Sequence, residues 1–128
     1  MTVPQLDAVP LHARDLLVRD LATVAATTTV AGALSLMRHL DVRHVPVLDA
    51  TGLVGLLHEP DLLALDPDAP VGPSVHRQVP RARLQDTLEQ VAALVAGSPC
   101  GAVVVLDDEE HLLGLLTDVD LRRVVSLP

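Results

Sequence analysis

The sequence predicts an α/β (α+β) fold made of two similar βαββα units, and three observations lead there. The segment Gly114, Leu115, Leu116, Thr117, Asp118, Val119, Asp120, Leu121 repeats an earlier one, Gly55, Leu56, Leu57, His58, Glu59, Pro60, Asp61, Leu62, at a displacement of 114 − 55 = 59 residues. A repeat of that length in a 128-residue chain means two structural units. Each copy follows a stretch with apolar residues at helical spacing and then a short apolar run bounded by turn residues. Between the copies, Asp66 to Pro73 holds three prolines and a glycine in eight residues, the composition of a stiff connector. The predicted organisation is a lead-in over 1–15, a first unit over 16–65, a linker over 66–73 and a second unit over 74–128.

Taken in order, the lead-in carries Pro4 and Pro10 and reads as extended chain outside the repeat. A short strand is expected around Thr23 to Ala25, after which Thr28 or Thr29 can cap a helix. Val30, Ala33, Leu34, Met37 and Leu40 make one apolar face of that helix. Val45 to Leu48 and Leu53 to Leu57 then read as a hairpin around the turn Asp49 to Gly52, with Pro46 at the strand's start or on an edge. A second helix begins near Pro60 and ends before Pro67. The second unit repeats the order: a strand near Val75 to Val79, a helix from Leu84 to Val95, strands Ala102 to Leu106 and Leu112 to Leu116, and a closing helix after Thr117. Four extra residues fall in its helix-to-strand loop, Ala96 to Gly101, whose glycines would let backbone approach a ligand.

Composition narrows the function. Half the residues are apolar and none is aromatic, so the core must be built from Leu, Val and Ala. Phe, Tyr, Ile, Asn and Lys, all with A/T-rich codons, are missing and all nine basic residues are Arg, which points to a G+C-rich, bacterial genome. A formal charge of −8 argues against nucleic-acid binding, which rests on clustered positive charge. The single cysteine, Cys100, and the lack of a signal-peptide layout fit a cytoplasmic protein. No apolar run approaches the roughly 20 residues that cross a bilayer, so no membrane role is expected.

The paired segments, with the material before each, resemble the CBS domain, a βαββα unit that nearly always comes in tandem as a nucleotide-sensing regulatory pair. The resemblance covers about residues 16 to 65 and 74 to 127. The family's most informative motif is a Thr or Ser three positions before an Asp. Thr117 and Asp120 match it, whereas His58 and Asp61 match only at the Asp. The resemblance implies a stand-alone Bateman module in which two CBS motifs, related by a pseudo-two-fold axis, pack their sheets face to face with clefts between the copies. It implies too that the ribose of an adenosine-containing ligand (AMP, ADP, ATP or another adenosyl compound) sits on the motif's Asp. The purine would lie between the start of the unit's first strand and the start of its second. By motif, those places are Arg77, Gln78, Val79 and Gly101, Ala102, Val103 in the second copy. In the first they are Ala22, Thr23 and Arg43, His44, Val45.

The chemistry is apt. A carboxylate at Asp120 can accept from two ribose hydroxyls at once, Thr117 can bond a phosphate or the ribose, and a helix's first turn offers free N–H groups to an anion. The same four residues are close to a capping box, in which Thr117 caps the helix and Asp120 reaches back. Arg43 can supply charge near a phosphate or be a solvated surface residue.

His12, His39, His44, His58, His76 and His111 lack metal-ligand spacing, so no metal is expected. The acidic run Asp107 to Glu110 reads as a solvated turn. No nucleophile elbow or Gly-rich phosphate loop appears and Cys100 has no adjacent His, so neither catalysis nor a required cofactor is expected. The partners expected are the adenosine nucleotide, a second copy in a homodimer packed through Leu-, Val- and Ala-rich helices, and an unidentified effector protein. A reading from another class, a dimerisation scaffold that binds no nucleotide, stays open at this point.

Overall fold

The computed structural model describes residues 11–17 and 21–125; residues 1–10 of the predicted lead-in, 18–20 and 126–128 lie outside them. The elements are α1 (Ala13–Leu16), α2 (Val30–Leu40), β1 (His44–Asp49), β2 (Gly52–His58), α3 (Glu59–Leu62), β3 (Arg81–Ala82), α4 (Leu88–Ala96), β4 (Ala102–Leu106), β5 (Leu112–Thr117) and α5 (Asp118–Val125), with a 3₁₀ turn at Gly72–Ser74.

Side-chain alternation along the strands builds three stacked layers of core. In the first unit Val45, Val47 and Leu57 face Val30, Ala33 and Met37 of α2. In the second, Val103, Val105 and Leu116 face Val91 and Val95 of α4. The opposite faces, with Leu53 and Leu56 on one sheet and Ala102, Val104, Leu106 and Leu115 on the other, meet each other. The sheets therefore pack face to face, as expected, and all five residues of β4 are buried because both its faces are covered. With no aromatic ring available, this inner layer closes on aliphatic side chains and the Cys100 thiol.

Turn and cap chemistry sets the element ends. Thr29 accepts the Gly32 amide at 3.0 Å and starts α2. Thr87 and Gln90 form a reciprocal capping box, so α4 begins at Leu88 rather than at the predicted Leu84. Asp49 accepts from the Thr51 amide and hydroxyl to close the first hairpin. Asp107 accepts from the Glu109 and His111 amides to close the second. The acidic run there is not simply solvated, because Glu110 bridges Arg81 at 2.9 Å and Arg83 at 2.7 Å, tying the turn to β3.

Three sequence expectations change. The strand predicted at Val75 to Val79 is not the second unit's first strand; that is β3, parallel to β4. His76 instead pairs antiparallel with Leu56, at the edge of the first unit's sheet. The linker is no spacer either, since Val71 is fully buried in the first unit's core and the Val30 and Val71 amides donate to Ala69 and Thr28 carbonyls. Residues 11–14 do the same on the second unit, where the Leu88, Ala13 and Arg14 amides donate to Leu11, Asp86 and Leu84. The bridges His12 with Thr87 and Pro70 with Thr29 are the same contact, 58 residues apart in each strand of the pair. Residues 11–14 thus belong to the repeat, and each unit is completed by the segment that precedes the other.

Candidate functional site

The hairpin registers place both motif turns at one end of the sheet pair. His44 pairs with His58 and Ala102 with Thr117, so the start of each hairpin lies beside its end. The backbone closes the two turns alike: the Glu59 amide donates to Arg43 at 2.9 Å and the Asp118 amide to Gly101 at 3.1 Å. Between the turns lies an open cleft of about 760 Å³, lined from the first unit by Arg43, His44 and His58 and from the second by Gly101, Thr117 and Asp120. That volume falls in the range of small-molecule sites, roughly 300–1,000 Å³.

On the second unit's side, Oδ2 of Asp120 accepts from the Thr117 amide at 2.9 Å and from its hydroxyl at 3.2 Å. This is the reach-back half of a capping box, and it leaves Oδ1 with no protein donor among the described residues. Asp118 pairs with Arg122 at 2.7 Å, one turn along α5. Gly101 has φ of 70°, in the left-handed region that glycine adopts without strain, and this lets the chain turn from the loop into β4 beside Asp118.

On the first unit's side, the His44 and His58 rings stack with centroids 4.5 Å apart. His44 Nε2 lies 2.7 Å from the Cys100 carbonyl oxygen, which can only accept, so Nε2 carries the proton and ties one unit to the other. Burial lowers the pKa of His44, against the raising effects of that hydrogen bond and of Asp118. Burial also lowers that of His58, helped by the neighbouring His44. Asp61, the counterpart of Asp120, is bonded to His76 at 2.6 Å. Burial pushes the Cys100 thiol up.

The sequence-predicted residues divide accordingly. Thr117, Asp120, Gly101, Arg43, His44 and His58 come together at the cleft. Ala102, Val103 and Val45 are buried in the cores beneath it, and Val79 packs between the sheets. Arg77 and Gln78 are exposed and do not line it. Nor do Asp61 and Ala22, and Thr23 lines a smaller cavity of about 440 Å³ at the hairpin tips, alongside Glu110 and His111. The first copy's predicted set is therefore split, with Arg43 and His44 on the large cleft and Thr23, beside an isolated parallel bridge of Val24 with Val47 rather than in the predicted strand, on the smaller cavity. Asp118 and Arg122 line the cleft unforeseen, and Pro99 and Cys100 line it from the loop that the sequence marks as able to approach a ligand.

A profile of the CBS domain matches residues 13–68 and 71–127. The chain belongs to the CBS domain family. Among solved CBS pairs, CBSX2 from Arabidopsis thaliana is 25% identical, with a TM-score of 0.80 over 91% of this chain and 95% of that one. The AMP complex of CBSX2 is 27% identical, with a TM-score of 0.78 over 89% and 95%. The CBS pair of protein MJ0100, crystallised with 5′-methylthioadenosine and S-adenosylmethionine, is 21% identical with a TM-score of 0.82 over 91% and 97%. A homoserine O-acetyltransferase from Methanohalobium evestigatum is 24% identical over 119 residues, and this CBS pair covers 90% of its own length but only 24% of that protein. Among the described residues, no helix is long and apolar enough to cross a membrane and no group of side chains has the arrangement of a metal site.

Proposed function

We propose that this CBS pair is a regulatory, ligand-sensing module that binds an adenosine-containing nucleotide in the cleft between its units and modulates a partner protein. The observation that carries this reading is the convergence, on one cleft, of the Thr117 to Asp120 turn with Arg43 and two imidazoles of the other unit. Asp120 Oδ1 is available to ribose hydroxyls. The amides of Val119 and Asp120 in the first turn of α5 and the Arg43 guanidinium are donors for a phosphate. The AMP complex of CBSX2, at 27% identity, supports the choice of ligand class.

The mechanism asks little of the protein. A ligand that touches both units binds one relative arrangement better than another and shifts the population by that difference in affinity. The effector is then another protein, or a second copy in a homodimer. A panel of AMP, ADP, ATP and S-adenosylmethionine, followed by circular dichroism because Trp and Tyr are absent, tests the reading. At about 100 times Kd, a ligand adds about 2.7 kcal/mol to stability and raises the melting temperature. No shift with any member at millimolar concentration would favour a scaffold that binds no nucleotide.

A further inference from the structure

His44 and His58 stack with planes 10° from parallel, and both rings line the cleft. The carboxylates around them are engaged elsewhere. Asp118 on α5 pairs with Arg122 at 2.7 Å, and Glu59 on α3 lies 3.6 Å from Arg43. Asp61 bonds His76 at 2.6 Å and stands 4.0 Å from His58 Nδ1. Asp120 is held by Thr117, which leaves Asp41 at the end of α2 as the other acid on the cleft. The cations facing the stack are Arg43, His76 when protonated, and Arg123 on α5, while Cys100 presents a carbonyl and a thiol. A proton added to this pair would put charge on a half-buried ring next to another imidazole and a guanidinium, against which Asp61, itself bonded to His76, and Asp118, paired with Arg122, give only partial compensation.

A phosphate in the cleft would supply the missing countercharge. We propose that the His44–His58 stack is a proton-linked anion subsite: a phosphate-bearing ligand binds together with uptake of a proton by this pair, so affinity rises as pH falls through neutrality. The proposal rests on reading the cleft as a nucleotide site. Because both rings would repel if charged 4.5 Å apart, the pair takes one proton, not two. His44 already commits Nε2 to Cys100, so its new N–H appears at Nδ1; the nitrogens of His58 make no hydrogen bond among the described residues. Burial keeps both rings neutral in the empty cleft near pH 7, which leaves a proton to be taken up.

Calorimetric titration of the full chain with AMP at pH 7, in two buffers of different ionisation enthalpy, tests this. Uptake of roughly half to one proton per AMP is expected, with Kd weakening about three- to tenfold between pH 6.8 and 8. The AMP phosphate titrates near pH 6 and exchanges protons of its own, so the uptake must disappear in the double variant His44→Gln/His58→Gln. If that variant folds poorly, imidazole proton NMR of the parent replaces it, with the pKa values of His44 and His58 expected to rise on adding AMP. AMP binding without proton uptake, uptake that persists in the double variant, or unchanged imidazole titrations would overturn the proposal and leave the nucleotide reading standing. No AMP binding at any pH would overturn both.

Discussion

Nε2 of His76 lies 2.6 Å from Oδ2 of Asp61, the residue that corresponds to Asp120 in the other unit. His76 is held there by a pair of backbone hydrogen bonds with Leu56, at 3.0 and 2.8 Å, so Oδ2 of the first unit's motif carboxylate is tied to a side chain from outside its own turn. Among the described residues the second unit's Asp120 is bonded only within its own turn, to Thr117, and it lies on the cleft, which Asp61 does not line.

This asymmetry predicts unequal roles for the two carboxylates. Asp120→Ala should weaken AMP binding at least tenfold, since losing a hydrogen bond to a charged group costs about 1.5–3 kcal/mol. Asp61→Ala should change it less than about threefold, less than about 0.7 kcal/mol. Calorimetry on the two variants decides; tight binding that survives Asp120→Ala but disappears in Asp61→Ala would reverse the ranking.

Gly55 sits in the middle of β2 where the chain segment carrying His76 crosses it. A Cβ there would collide with the His76 carbonyl and with Val75, so that segment must lift and its two bonds to Leu56 break. Gly55→Ala should therefore cost about 2–3 kcal/mol, the size of an overpacked core site. Urea unfolding followed by circular dichroism measures it, and a change under 0.5 kcal/mol would contradict the packing described.

Acid should destabilise the protein before its carboxylates titrate. The folded-state pKa values of His44 and His58 lie below the ordinary 6.5, mainly through burial. The unfolded chain therefore binds more protons in the window from 6.5 down to those folded values. Their stabilisation is full above pH 6.5 and is lost as pH falls through the folded pKa. Asp107 and Glu110, lowered by hydrogen bonds from His111 and Arg83, add a separate loss at still lower pH. Melting temperatures should be flat from pH 8 to 7 and fall between 6.5 and 5; a flat profile to pH 5 would rule the two imidazoles out.

The helices leave apolar side chains uncovered: Leu40 and Val42 near the end of α2, Leu63 and Leu65 after α3, and Val119 on α5. Contiguous exposed apolar patches commonly mark interfaces, and two-fold dimers are the commonest closed assembly. Sedimentation should give a dimer at micromolar concentration, weakened by Leu63→Arg. A monomer across that range would refute it.

The sequence by itself determined the two-unit organisation, the α+β class and the helix–hairpin–helix order within each unit. Repeats and periodicities are local signals, and Leu56, Leu57, Leu115 and Leu116 carry them without reference to distant residues. The strand alternation that makes one face of β4 a helix-facing surface and the other a sheet-facing one follows from the same local geometry. Only the tertiary structure decided that residues 11–14 and 69–72 complete each other's units, because backbone hydrogen bonds such as Val71 to Thr28 and Ala13 to Asp86 leave no mark on side-chain identity. It also decided the makeup of the cleft. Thr117 and Asp120 were legible as a motif, whereas the stacking of His44 on His58 and the capture of Asp61 by His76 join residues 14 and 15 positions apart. Such pairings are set by strand register and by the path of the connecting chain, which no short window of sequence encodes.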